Sequence, residues 1–170
     1  MTTTPLLSII IPVFNTIQYL DKCIASLPLN TLKDLQLIFV DNGSTDGCYE
    51  HLIELEAKDN RIGVHLVKGG KQGRCRNFGI QQATGKYIGF CDSDDWCAPG
   101  MFEQLLNKII ECDADIAVGQ VIKSSSDQKT QHNHFSKKYF KDGIYNTAEI
   151  PFLTRMTTCY NKIYKETFAR

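Results

Sequence analysis

The chain has 170 residues, 42% of them hydrophobic and 22% charged, which suits one soluble globular domain with a real core and excludes a disordered segment or two ordinary domains. Lys plus Arg equals Asp plus Glu at 19 each, so no overall field recruits nucleic acid or an anionic membrane, and any anionic ligand must be held by a local site. There is no signal-peptide pattern at the N-terminus, no apolar run of membrane-spanning length and no CxxC pair among the seven cysteines, so reduced thiols in a cytoplasmic protein are expected.

Leu6 to Ile11 is a continuous apolar run closed by Pro12, the pattern of a strand buried on both faces. Ile17, Leu20, Ile24 and Leu27 form a helical stripe stopped by Pro28. A second strand, Leu35 to Val40, runs into Asp41-Asn42-Gly43-Ser44, and Asp46 is placed to cap a helix carrying Leu52, Ile53 and Leu55. Ile62 to Val67 reads as a third strand, followed by a glycine-rich loop from Gly69 to Gly73. A helix through Arg76, Phe78, Ile80 and Ala83 then ends at Gly85, which suits the left-handed residue after a helix. Tyr87 to Cys91 is a fourth strand that leads directly into Asp92-Ser93-Asp94-Asp95. Pro99 opens a helix with Met101, Leu105 and Ile109 on one stripe, and Ile116 to Ile122 is a fifth strand. Beyond it, Lys123 to His134 reads as an exposed loop or hairpin tip. Phe135 to Tyr145 and Thr158 to Tyr164 look like edge strands around a short helix starting near Thr147.

Strands alternating with helices through short connections indicate an α/β fold on a mostly parallel sheet. Ligands of such sheets bind beyond the carboxyl ends of the strands, where the unusual residues of this chain fall: Pro12 to Asn15, Asp41 to Ser44, and Asp92 to Asp95. Three carboxylates within four residues repel one another unless a cation or hydrogen-bond donors compensate, and a hard divalent ion shared with substrate phosphates is one compensator. A solvated turn with a helix cap is the other reading of the same residues. Lys71, Arg74 and Arg76 make the glycine-rich loop basic enough to approach a diphosphate, although Arg76 also fits an ordinary helix surface. Phe14 either stacks on a base or covers the core. A receiver domain or an aspartyl phosphatase would carry its acidic residues after the first strand, and a Walker A loop is absent.

Taken in order, Ser8-Ile9-Ile10-Ile11-Pro12-Val13-Phe14-Asn15, Val40-Asp41-Asn42-Gly43-Ser44-Thr45-Asp46, Arg76-Asn77-x-Gly79 and Phe90-Cys91-Asp92-Ser93-Asp94-Asp95-Trp96 resemble the motifs of family 2 glycosyltransferases of the GT-A fold, over roughly residues 6 to 120. The resemblance implies inverting transfer of a sugar from a nucleoside-diphosphate donor, UDP first, to the hydroxyl of a glycan or lipid-linked glycan, as in bacterial surface polysaccharide synthesis. It implies that Pro12, Phe14 and Asn15 line the base pocket, that Asp41 and Asn42 address the base edge, and that Lys71 and Arg76 approach the diphosphate. Asp94, with Asp92, would bind Mn²⁺ or Mg²⁺, while Ser93 and Asp95 would complete the donor site. Residues 1–122 would then form the donor-binding domain and 123–170 the start of an acceptor-side region. Membrane association would be peripheral at most. Relatives often carry a second aspartate where this chain has Asn42, which leaves the donor base open. Their catalytic carboxylate follows the stretch resembling Cys159 to Tyr164, so the base is expected beyond Arg170. A non-catalytic nucleotide-sugar-binding module is the alternative from a different class.

Overall fold

The computed structural model describes residues 4–121, 123–125, 128–130, 143–145 and 159–169. Its centre is a six-stranded sheet of β1 (Leu7–Val13), β2 (Leu35–Asp41), β3 (Ile62–Leu66), β4 (Tyr87–Phe90), β5 (Ile116–Val118) and β8 (Lys162–Lys165), in the order β3-β2-β1-β4-β8-β5. The helices are α1 (Ile17–Ser26), α2 (Cys48–Glu56), α3 (Gln72–Gln82), α4 (Met101–Glu111) and the short α5 (Glu166–Ala169). A two-stranded hairpin of β6 (Lys123–Ser125) and β7 (Gln128–Thr130) stands apart from the sheet, in the segment expected as a loop or hairpin tip. The expected strand at Phe135 to Tyr145 and the helix near Thr147 lie almost entirely outside the described residues.

β1 to β5 run parallel, and β8 is antiparallel to both of its neighbours. The α/β class is as expected. The position of β8 is not: Thr158 to Tyr164, read as an edge strand, instead supplies a strand lying between β4 and β5, so the sheet draws on both sides of residue 122.

Both faces of the sheet are covered, which explains the unbroken apolar runs. Leu7, Ile9, Ile11 and Val13 of β1 point to one face and pack with Leu20 and Cys23 of α1, Cys48 and Leu52 of α2, and Phe102 and Ile109 of α4. Ile10 points to the other face and packs with Ile38, Val40, Ile88, Phe90 and Cys75 of α3. Full burial of each such side chain stabilises the fold by about 1.5–3 kcal/mol before chain entropy is subtracted.

Several boundaries differ from the sequence reading, among them that of β5, expected to reach Ile122, which ends at Val118. Pro12 does not end β1 but lies inside it, opposite Val40. Ile10 offers its carbonyl to Cys91 and Val13 offers its own to Asn42 on the other side, so the missing N–H of Pro12 faces β4, whose pairing with β1 stops at Phe90. Gly85 is not a left-handed helix stop, since the positive-φ glycines are Gly43, Gly47, Gly69 and Gly100. A side chain there would meet the Ser8 backbone nitrogen at 2.7 Å, so close approach to β1 requires the glycine. Helix α4 opens at Gly100, with φ 74°, rather than at Pro99.

Candidate functional site

The chain passes from β1 outward to β2 and β3, then crosses back to β4 on the other side of β1. The crevice at this reversal, above the carboxyl ends of β1 and β4, is where a parallel sheet accepts a ligand. Phe14 emerges there from β1 with 56% of its surface exposed. Asn15 follows with φ 51°, a conformation asparagine tolerates better than most residues.

A closed circuit of hydrogen bonds surrounds the crevice. The Asn15 backbone N–H donates to Ser44 Oγ at 3.0 Å, and its Oδ1 accepts the Thr45 N–H at 2.8 Å, joining β1 to the turn after β2. Asn42 then bonds Gly70 in both directions: Nδ2 donates to the Gly70 carbonyl at 2.7 Å and Oδ1 accepts the Gly70 N–H at 3.1 Å. The loop holding Gly70 continues into α3, where Arg76 Nη2 lies 2.6 Å from Asp92 Oδ1. Ser93 is buried and bonds Thr16 Oγ1 at 2.9 Å, which returns the circuit to the start of α1.

Within the circuit the acidic run is a turn, closed by the Asp95 N–H on the Asp92 carbonyl at 3.0 Å. The turn gives the carboxylates different surroundings. Asp92 is directed toward α3 and held by Arg76, whereas Asp94 and Asp95 lie on the accessible side. Surrounding protein displaces water from around the Asp95 carboxyl, and with the charges of Asp94 and then Asp92 this pushes it above the usual aspartate range. Beneath the turn the thiols of Cys23, Cys91 and Cys97 are stacked in a buried row, 3.8 and 3.7 Å apart. All seven cysteines are free.

Other expected site residues take different places. Asp41 has no exposed surface; its Oδ1 accepts the N–H groups of Gly43 and Ser44 at 2.7 and 2.8 Å and so builds the turn, while its buried Oδ2 has no hydrogen-bond partner among the described residues. Asn42 spends its amide on Gly70. Pro12 is buried inside β1, and Lys71 is exposed at the start of α3. A cavity of about 410 Å³ lies beside this rim, lined by Asn42, Gly43, Ser44, Lys68 and Gly69 among others. A larger one, about 500 Å³ between the end of β3 and α3, touches none of the acidic run.

The lead-in to β8 lies within electrostatic reach of the acidic turn and received no role from sequence reasoning. Burial raises the Tyr160 hydroxyl above its usual range, reinforced by Asp95 and Asp92, which puts this residue in the field of the acidic turn. Lys162, buried beside Asn161 Oδ1 at 3.1 Å, is pushed down to about 8 by loss of water. The one signal available was a polar Tyr-Asn-Lys group set against apolar Ile163.

Among the described residues, no group of three or more His, Cys, Asp or Glu side chains converges as a metal cage. The acidic turn offers instead one or two carboxylates at an open surface. That donor set fits Mg²⁺ or Mn²⁺ completed by phosphate oxygens and water, and does not fit an all-protein site.

Residues 8–169 match the family described as Glycosyl transferase family 2. The chain is 32% identical over 144 residues to the glycosyltransferase GlyA of Streptococcus pneumoniae, covering 85% of this chain and 21% of GlyA. It is 39% identical over 127 residues to the glycosyltransferase EpsJ of Bacillus subtilis, covering 74% of this chain and 37% of EpsJ. It is 31% identical over 148 residues to a GalNAc(5)-diNAcBac-PP-undecaprenol beta-1,3-glucosyltransferase of Campylobacter jejuni, covering 86% of this chain and 46% of that enzyme. The chain thus spans less than half the length of each of these relatives. In fold it is similar to Staphylococcus aureus TarS 1–349 in complex with UDP-GlcNAc, with a TM-score of 0.74 and 21% identity over 95% of this chain and 45% of that one.

Proposed function

This chain belongs to glycosyltransferase family 2, and on that premise we propose that it binds a UDP-sugar in the crevice between β1 and β4 and takes part in inverting transfer of the sugar to a glycan or lipid-linked glycan hydroxyl. The observation that carries this reading is the division of labour in the acidic turn, with Asp92 neutralised by Arg76 and Asp94 left open.

In this reading Phe14 stacks on the base, with Asn15 beside it, and the backbone of the Asp41–Ser44 turn borders the ribose side. Asp94 holds Mn²⁺ or Mg²⁺, with Asp92 assisting through Oδ2 while its Oδ1 stays on Arg76, and the charge of the ion would stabilise the departing diphosphate. Asp95 faces the donor sugar and Ser93 fixes the turn from below. Lys71 and Arg74, at the N-terminal end of an α3 that has no acidic residue in its first turn, supply positive field for the diphosphate. Arg76 Nε, buried and without a hydrogen-bond partner among the described residues, is a further donor on that side. Inversion also needs a base for the acceptor proton, and we assign that transfer to none of the described residues. Residues 1–122 serve the donor, and the region from 123 onward opens the acceptor side.

Two relatives support the substrate class. The Campylobacter jejuni enzyme is named for an undecaprenol-linked acceptor, and the TarS structure holds UDP-GlcNAc. A cytoplasmic location suits such a donor; among the described residues no helix is long and apolar enough to cross a membrane.

Calorimetry with UDP tests the site, on the wild type and Asp94→Ala, each with and without Mn²⁺. Binding should be tighter with Mn²⁺ in the wild type alone. Equal affinity in all four titrations would overturn the metal assignment.

A further inference from the structure

Asn42 directly follows β2, and both ends of its side-chain amide are engaged. The two polar atoms of its amide meet the N–H and the carbonyl of one residue, Gly70. An aspartate could accept the N–H, but its second oxygen would face the Gly70 carbonyl at the position now held by a donor 2.7 Å away, with no proton between them. The paired hydrogen bonds therefore demand an amide. Gly69, at φ 76°, turns the loop into this position, and Arg74 Nη1 holds the Gly69 carbonyl at 3.2 Å from the first turn of α3. The latched segment includes Lys68 and Lys71, and the cavity beside it is walled by Asn42, Lys68 and Gly69.

We infer that Asn42 is a positioning residue that latches the basic glycine loop to the end of β2, and so sets the wall of the nucleoside side of the donor site rather than reading the base edge itself. The functional half of this inference rests on the UDP reading above. The latch itself does not.

The test compares wild type, Asn42→Asp and Asn42→Ala by amide hydrogen exchange and by UDP calorimetry with Mn²⁺. Asn42→Asp is nearly isosteric, so it removes the donor without changing the volume. Exchange across Gly69 to Lys71 should accelerate about tenfold, the scale of one lost hydrogen bond, while the amides of β1 keep their protection. UDP affinity should fall by a similar factor in both variants. If Asn42 instead reads the base as an acceptor, Asn42→Asp would bind UDP as well as the wild type or better, and loop exchange would not change. Either result overturns the inference. Should Asn42→Asp lose protection throughout β1, Asn42→Ala decides on the same readings. A wild type that fails to bind UDP would sink the donor reading, while the exchange data still decide the latch.

Discussion

Arg76 on α3 and Asp92 at the end of β4, sixteen residues apart in sequence, meet at 2.6 Å with side chains only 20% and 14% exposed. Neither partner is solvated well enough to stand alone. Arg76→Met leaves a largely buried carboxylate beside Asp94 and Asp95, and should destabilise the fold by about 3 kcal/mol. Combining it with Asp92→Asn should cost less than the sum of the two single changes, by about 1 kcal/mol or more. Urea titrations of the four proteins measure this. Strict additivity would mean the two residues are not coupled.

Gly85 separates two explanations of one glycine. As a left-handed helix stop it would tolerate asparagine nearly as well as glycine. As a close approach to β1 it tolerates no side chain, because the added carbon would meet the Ser8 nitrogen and Oγ at 2.7 Å and that backbone is fixed in the sheet. Gly85→Asn and Gly85→Ala should therefore both lose about 2 kcal/mol or more. A thermal midpoint for Gly85→Asn close to the wild type would restore the helix-stop explanation.

Trp96 is the sole tryptophan, two residues past Asp94 and 48% exposed, with Lys22 Nζ 3.2 Å above its ring centroid. Its fluorescence should report on the acidic turn. UDP with Mn²⁺ should shift the emission of the wild type and not of Asp94→Ala. Lys22→Met should change the emission of the free protein while costing no more than about 1 kcal/mol, because the contact is solvent-exposed. Emission indifferent to Lys22→Met would remove the cation from the ring in solution.

These features were unequally legible in the sequence. The parallel strands announce themselves as apolar runs ended by turn residues, because burial on both faces leaves no polar alternation to confuse them. The acidic turn is legible by its place after β4. What each carboxylate does is not, since that depends on a tight turn and on where α3 sets Arg76. β8 is four residues long and begins and ends in lysine; its interior place comes from pairing with β4 and β5, which no local pattern encodes. Pro12 reads as a strand stop because its effect depends on which edge its missing N–H faces. Asp46 is legible as a helix-start residue, although the N-cap position of α2 falls to Gly47, and only half of the work of Asp46 is local.

The other half of that work makes the last prediction. Asp46 Oδ1 accepts the Cys48 N–H at 3.2 Å, at the start of α2, and Oδ2 accepts the Ile17 N–H at 2.9 Å, at the start of α1. One carboxylate thus serves two helix N-termini, on the side where their dipoles favour negative charge. Burial alone would raise its pKa, but the hydrogen bonds from Ile17 and Cys48 outweigh that and hold it below the usual 3.8. A depressed folded-state value means that the charge stabilises the protein at pH above the ordinary aspartate range, and that this contribution disappears as pH falls through 3.8 toward the folded-state value. Asp46→Ala should cost about 1–2 kcal/mol at pH 7. Asp46→Asn loses the charge and one of the two acceptor oxygens, setting an NH2 group against the Ile17 or the Cys48 N–H, so its deficit at pH 7 should be comparable and should narrow as the pH is lowered through that range and Asp46 itself takes up a proton. Denaturation midpoints across pH 3 to 7 measure both curves. A wild-type advantage over Asp46→Asn that persists undiminished at pH 3 would show that the charge at this double cap contributes nothing.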